Sequence, residues 1–303
     1  MSEKKRLLII GSRRYKKKTV KSLIAEGEKL FDSVLFVPVH KIRIVEEKGE
    51  NKLFYKDIDL LKFDACYPRT GAKDFFLAEA VLKIIDDSEM YSPVTLESYQ
   101  YSNHKYYTVK KLAEAGIPTL DASLSVSAEA SSSVIKKFGF PVVLKLISGF
   151  AGKGVMLVKD KKQLASILDT LHLFEEYVSA QKYAAAGNTD IRCYVLGEEV
   201  IAAKRTGAKG DWRANMSRGG SVKPIKATPR MKKLAVEAAR ALKFDICAVD
   251  MIETRKANGK KRVAVIEVNF QPGPFQKFLG NKITKAMVEF IHEKVAGKSE
   301  KNQ

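Results

Sequence analysis

Ile246-Cys-Ala-Val-Asp-Met-Ile-Glu-Thr254 and Arg262-Val-Ala-Val-Ile-Glu-Val-Asn-Phe270 are two strand-like runs, and between them lies Asn258-Gly259, a pair favoured in two-residue type I′ hairpin turns. If those two residues are the turn, Ala257 faces Lys260 and, seven residues further back on each strand, Asp250 faces Glu267. Carboxylates so opposed have Cβ atoms about 4.5–5.5 Å apart, and Asn269 projects from the same face as Glu267. Both acids lie in apolar runs, ICAVDMI and VAVIEVNF, which argues against a solvent-bathed edge hairpin. Two facing carboxylates repel unless a cation lies between them, and oxygen donors from Asp, Glu and Asn suit Mg²⁺ bridging nucleotide phosphates. The same register sets Arg255 opposite Arg262 near the tip, a mildly unfavourable pair, and a bulge along the ladder would break it.

A second hairpin, Thr189 to Val195 and Glu199 to Arg205, turns at Gly197-Glu198 and by the same counting sets Asp190 opposite Arg205. Arg192, Lys204, Arg205, Arg213 and Arg218 add cations to this half. Each alone reads as basic surface, but beside a metal site they form a clamp for phosphoryl charge. Upstream, Phe140-Pro-Val-Val-Leu-Lys-Leu-Ile147 alternates so that Val143, Lys145 and Ile147 share a face, and an ammonium among apolar neighbours needs a partner. Ser148-Gly-Phe-Ala-Gly-Lys-Gly154 follows and leads into a strand, Val155 to Val158, without the Ser/Thr of a Walker loop. It reads as a β-hairpin tip whose N–H groups could close over phosphates, although for the loop taken by itself an ordinary Gly-rich turn is the more common explanation.

The first third alternates strand and helix: Leu7 to Ile10, Thr19 to Leu30, Val34 to Val39, a charged hairpin through Lys48-Gly49, then Phe63 to Pro68 and a helix from Ala72 to Ile85. Gly11-Ser12-Arg13-Arg14 is not a dinucleotide-binding fingerprint. A helix from Asn103 to Ala115 ends at Gly116, and Pro229 to Leu242 forms another with Thr228 as N-cap. Lys282 to Val295 is the last helix. The expected class is α/β, with α+β in the C-terminal part. The expected domains are 1–100, a small α/β layer, and 101–297, with subdomains of about 101–178 and 179–297, followed by a flexible tail at 298–303. There is no internal repeat.

The 303 residues, 45% hydrophobic and 29% charged, suffice for a core without staples and exclude disordered and fibrous classes. No apolar run approaches a membrane span, and Met1 to Arg6 precedes only four apolar residues, so neither a signal peptide nor a membrane partner is expected. Cys66, Cys193 and Cys247 are distant from one another in apolar runs, as reduced buried thiols are, which points to a cytoplasmic location. The four histidines lack zinc-ligand spacing. A net charge of +19 attracts anions, with nucleic acid one candidate, but no RNA-recognition, helix-turn-helix or zinc-finger pattern accompanies it.

From about residue 60 to 295 the chain resembles the ATP-grasp carboxylate–amine ligases, and among them the RimK-type α-L-glutamate ligases. The motifs are Tyr67-Pro-Arg-Thr-Gly71, Ser102-Asn-His-Lys105, Pro141-Val-Val-Leu-Lys145 with its Gly-rich loop, Glu176-Tyr177-Val178, Thr189-Asp-Ile-Arg192, Gly210-Asp-Trp-Arg-Ala-Asn215, Ser217-Arg-Gly-Gly220, Val249-Asp250 and Ile266-Glu-Val-Asn269. The resemblance implies an ATP-grasp fold preceded by a pre-ATP-grasp domain. It makes Lys105 and Lys145 nucleotide-phosphate lysines, with Gly149, Gly152 and Gly154 in the covering loop. Glu176, Tyr177 and Val178 become the adenine strand and Asp190 a further nucleotide contact. Arg213 and Asn215 lie against the terminal phosphate, while Asp250, Glu267 and Asn269 are the Mg²⁺ ligands, with Mn²⁺ an acceptable substitute. Arg69, Arg192, Lys204 and Arg218 fall on the substrate side. Where such ligases commonly continue Pro-Gly with Leu-Glu-Gly, this chain reads Phe270-Gln-Pro-Gly-Pro-Phe-Gln-Lys-Phe278.

The implied activity is ATP-dependent ligation of an amino acid, glutamate first, to the carboxylate of a protein C-terminus or small molecule through an acyl phosphate. Alternatives are a pterin or deazaflavin coenzyme or an amino-group carrier protein as acceptor, and, in a different class, a non-catalytic ATP- or RNA-binding module. Relatives are commonly oligomeric, so a homo-oligomer is expected.

Overall fold

The computed structural model describes residues 5–12, 17–125, 133, 135–146, 154–173, 177–184, 187–214, 219–255, 261–273 and 275–299. The continuous apolar run Leu7 to Ile10 forms strand β1 (Arg6–Gly11), central in a parallel sheet between β2 (Ser33–Pro38) and β6 (Ala65–Arg69). Buried on both faces, it has the near-unbroken apolar sequence that central parallel strands require. Helix α1 (Lys17–Gly27) makes the crossover between β1 and β2. The charged hairpin is β3 (Arg43–Glu47) and β4 (Glu50–Tyr55), reversing at Lys48 and Gly49, both at positive φ, with β5 (Ile58–Asp59) added to its edge.

Helix α2 (Phe75–Asp86) is followed by two helices, the one expected from Asn103 and, before it, one that the sequence did not lead us to expect. These are α3 (Leu96–Asn103), capped by Thr95, and α4 (Lys105–Glu114), capped by His104. α3 runs through residue 100. Next to it the Pro93 carbonyl accepts from Asp245 N, and the largest core cluster joins Leu8, Val37 and Leu82 to Cys193, Val249 and Val268. Apolar packing is therefore continuous from the first strands to the last sheet.

A four-stranded antiparallel sheet has the order β7 (Ala122–Ser125), β10 (Val178–Lys182), β8 (Val142–Leu146), β9 (Val155–Val158). Helix α5 (Lys161–Leu173) covers it, burying Leu164 and Leu168 against Val142, Leu144 and Val158. The five-stranded antiparallel sheet is ordered β13 (Ser221–Ile225), β12 (Glu199–Thr206), β11 (Thr189–Leu196), β14 (Ile246–Arg255), β15 (Lys261–Asn269). Helix α6 (Pro229–Ala241), with the Thr228 hydroxyl accepting from Met231 N at 3.2 Å, packs on this sheet. After the short turn α7 (Gln276–Leu279), helix α8 (Lys282–Ser299) places Ile283, Met287 and Ile291 between Tyr194 and Ala248 of this sheet and Leu7 and Ile9 of the first. It reaches two residues into the stretch expected to be a tail; residues 300–303 lie outside the described residues.

Both hairpin registers can be compared with the counting above. Leu196 faces Glu199 and Asp190 faces Arg205, with Gly197 at φ +59 in the turn. A Cβ there would lie 2.8 Å from the Phe290 ring, so the turn needs glycine for space as well as for φ. Asp250 does face Glu267, but the tip is one residue out of the expected register: Thr254 pairs with Arg262 and Arg255 with Lys261. A bulge at Ile266 absorbs the difference, since Met251 pairs with Val265 and Asp250 with Glu267. Asn258 and Gly259 lie outside the described residues.

Candidate functional site

The five-stranded sheet supplies a floor of charged side chains because alternate residues on adjacent strands share one face. Asp190 and Arg192 come from β11, Arg205 from β12, Asp250 from β14, and Glu267 and Asn269 from β15. Arg192 lies opposite Asp250 in the ladder and grips it bidentately, Nε to Oδ1 at 2.7 Å and Nη2 to Oδ2 at 2.6 Å. Arg205 grips Asp190 through two 2.5 Å bonds and reaches Asp250 Oδ2 at 2.9 Å. Asp250 is 1% exposed, whereas Glu267, its cross-strand partner, is open to the cleft. Burial alone would push the Asp250 carboxyl upward, but Arg192 and Arg205 outweigh it and hold it below the ordinary value. Burial prevails at Asp190, pushing its carboxyl up to about 6 against the pull of Arg205.

The four-stranded sheet faces this floor. Lys145 on β8 points into the cleft and donates to Gln181 Oε1 at 2.7 Å, which answers the requirement for a partner. Lys105, the first residue of α4, also lines the cleft. Burial lowers the pKa of both lysines, and Glu267 opposes that shift in each. Gly154, at φ +72, accepts from Leu146 N and closes the base of the β8–β9 hairpin. The tip with Gly149 and Gly152 lies outside the described residues.

Arg213 ties the two sheets together, with Nη1 donating to Val155 O at 3.1 Å and Nε to Asp211 Oδ1 at 2.9 Å. Its guanidinium lies 5.6 Å from the centre of the Trp212 ring, which meets Tyr183 edge-on. Gly207 is needed beside it, because a Cβ there would sit 2.1 Å from the Arg213 carbonyl oxygen. Together these groups line a cavity of about 220 Å³. Lys105, Lys145, Lys182, Arg192, Arg205 and Arg213 there outnumber Asp190, Asp250 and Glu267 by three charges, so the cavity suits a polyanion.

The structure thus gathers Lys105, Lys145, Asp190, Arg192, Arg213, Asp250, Glu267 and Asn269 in one lining. Other residues expected at the site from the sequence fall elsewhere, and Lys204 is the plainest correction. One residue from Arg205 on the same strand, it is turned by alternation to the opposite face, exposed and paired with Lys223. Arg69 is buried outside the lining, its Nη1 on the Tyr67 hydroxyl at 3.0 Å and its Nη2 on Pro272 O at 3.3 Å. Tyr177 is exposed and Val178 is buried in β10, both outside the lining. Glu176, Asn215 and Arg218 lie outside the described residues. Sequence reading missed Gln181 and Tyr183 as parts of the site, whereas Arg205, already counted among the clamp cations, does line the cleft.

The oxygen triad fits a hard divalent cation. Asp250 Oδ1 accepts one of its hydrogen bonds from Arg192 and keeps lone-pair capacity, Asn269 Nδ2 approaches Asp250 Oδ2 at 3.4 Å, and Glu267 is open. Among the described residues no three His, Cys, Asp or Glu side chains converge, so the shell needs Asn269 and ligand oxygens, as Mg²⁺ sites commonly do.

Residues 102–291 match the RimK-like ATP-grasp domain. A protein of Vibrio cholerae serotype O1 named "Probable alpha-L-glutamate ligase" is 31% identical over 277 residues, covering 87% of this chain and 90% of that one. Another of the same name from Halorhodospira halophila is 31% identical over 265 residues, covering 83% and 86%. The chain belongs to the RimK-like ATP-grasp family. As a RimK-like ATP-grasp protein it is an ATP-dependent ligase that forms amide bonds. Its fold is shared by the RimK domain ATP-grasp protein of Sphaerobacter thermophilus, with TM-score 0.67, 16% identity and coverage of 94% of this chain and 99% of that one. The D-alanine–D-alanine ligase of Bacillus anthracis complexed with ATP has TM-score 0.68 and 21% identity and covers all of both chains. The α/β class expected from the sequence is therefore the ATP-grasp fold, its two antiparallel sheets enclosing the charged cleft. No helix among the described residues is long and apolar enough to cross a membrane.

Proposed function

We propose that the protein is an ATP- and Mg²⁺-dependent ligase that adds an amino acid, glutamate in the first instance, to a carboxylate on a protein C-terminus or small molecule. The observation that carries this reading is the cleft itself, an excess of buried and half-buried cations facing the open oxygen pair Glu267 and Asn269. Lys105 and Lys145 neutralise nucleotide phosphates; burial in the cleft lowers the pKa of both, and a bound anion would favour their charged form. Asp250, Glu267 and Asn269 hold Mg²⁺, which supplies charge neutralisation to the phosphates. Arg213, anchored at Asp211 and Val155, stabilises the charge of the transferred phosphoryl group, a role shared with Asn215 in this reading.

In the reaction an acceptor carboxylate oxygen bonds to the γ-phosphorus of ATP, the β–γ bridging bond breaks, and ADP leaves. The amine nitrogen then attacks the acyl carbon, phosphate departs, and the amine proton passes to solvent. The side chains contribute orientation and charge, with no covalent nucleophile of the protein required.

The test is mass spectrometry with phosphate release, using purified protein, ATP, Mg²⁺ and each amino acid, with candidate acceptors and with cell extract. ADP formation that depends on glutamate, with a matching product mass shift, is the expected result. Turnover with a different amino acid would correct the donor. ATP binding without turnover, even with extract, would replace the reading by a binding module.

A further inference from the structure

Among the described residues of 270–279, the one with a left-handed non-glycine backbone is Phe275, at φ +47 and ψ +45. Non-glycine residues rarely take that conformation, so one that does is held there by its surroundings. Its backbone carbonyl accepts from Phe278 N and Leu279 N at 2.8 and 3.0 Å. The ring is placed as deliberately: its centre is 5.3 Å from the Arg192 guanidinium carbon, and it meets Tyr194 edge-on at 6.4 Å. Tyr194 donates its hydroxyl hydrogen to Gly273 O at 2.8 Å, and Arg69 and Gln271 fasten the segment through Pro272 O and Thr70 O.

We infer that Phe275 is a positioning residue whose ring fixes the plane of the Arg192 guanidinium and, through the bidentate pair, the plane of the Asp250 carboxylate. A fork-to-fork Arg–carboxylate pair is coplanar, so whatever sets the plane of one group sets the other. The ring packs against the guanidinium, which is the contact that restrains rotation about the Arg192 side chain. Asp250 is buried, and only a fixed orientation lets its remaining lone pair face the cleft.

The inference rests on the ATP and Mg²⁺ reading above, so the full-length wild-type protein is titrated first by calorimetry with ATP in Mg²⁺ and with ATP in EDTA. Failure of wild type to bind ATP more tightly with Mg²⁺ would remove the reading, and this inference with it. With wild-type binding established, Phe275→Leu, which keeps apolar bulk without the ring, is expected to weaken ATP binding about tenfold in Mg²⁺, as loss of a desolvated cation–π contact would. Its affinity in EDTA is expected to stay within about twofold of wild type, while Phe275→Tyr restores binding in Mg²⁺. Equal weakening in both buffers, or no weakening, would overturn the inference while leaving the ATP and Mg²⁺ reading standing. Phe275→Met gives the same comparison if the leucine variant folds poorly.

Discussion

Asp250 and Glu267 face each other across one ladder position yet occupy different media, the first sealed beneath two guanidinium groups and the second open to the cleft. Their neutral isosteres should therefore behave differently. Asp250→Asn leaves Arg192 and Arg205 short of a buried counter-charge and is expected to cost about 3–5 kcal/mol in urea unfolding. Glu267→Gln should change stability by no more than about 0.5 kcal/mol while abolishing Mg²⁺-dependent turnover.

Lys145 gives the reverse pattern. Burial already disfavours its charge, so Lys145→Met, which keeps the aliphatic stem, should leave stability within about 1 kcal/mol of wild type. ATP affinity should fall about 10–100-fold, the loss expected when a charged hydrogen-bond donor to phosphate is removed. Unfolding curves and ATP titrations on the same preparation check both halves.

Arg213 and Gly207 should be coupled. Arg213→Lys keeps the charge but loses the fork onto Asp211, and kcat should fall about 10²–10³-fold with the KM for ATP little changed. Gly207→Ala forces the Arg213 carbonyl aside, so it should cost about 1–3 kcal/mol and lower kcat without touching substrate. Steady-state kinetics of the two single variants and the double variant measure the coupling.

His104 introduces a pH dependence. Its Nδ1 accepts from Tyr107 N at 3.3 Å and so caps the helix that begins at Lys105, a role only the neutral ring can fill. Burial lowers its pKa from the ordinary 6.5, so the folded state prefers the neutral ring and the unfolded state binds more protons across the window. Stability is then fully present above 6.5 and declines as pH falls toward the lowered value. His104→Asn, a cap that does not titrate, should flatten this decline in unfolding measured from pH 7.5 to 5.

The Gly197-Glu198 turn and its register were the most legible part of the sequence. Gly197-Glu198 gave the Asp190–Arg205 pair because a two-residue turn fixes every later partner. The Asp250–Glu267 pair was reached through a tip register that the structure shifts by one, and the unpaired Ile266 restores it. Such a bulge leaves no mark in a run as uniformly apolar as VAVIEVNF. The grip of Arg192 on Asp250 was not legible, because it depends on β11 lying beside β14, two strands far apart in the chain that no local pattern joins. The helix Leu96–Asn103 was not anticipated from the sequence, whereas the helix expected from Asn103 begins two residues later, after the His104 cap. Lys204 was misplaced for want of the alternation argument already applied to Lys145.

The bulge at Ile266 also uncouples the two ends of the long hairpin. Pairing beyond Met251 follows one frame and pairing from Asp250 inward follows another, so a change of connection length between Arg255 and Lys261 has a joint at which it can be taken up. Descendants of this chain could lengthen, shorten or recharge the sequence between those two residues, and engineers could graft a tag or sensor there, while the charged floor kept its alignment.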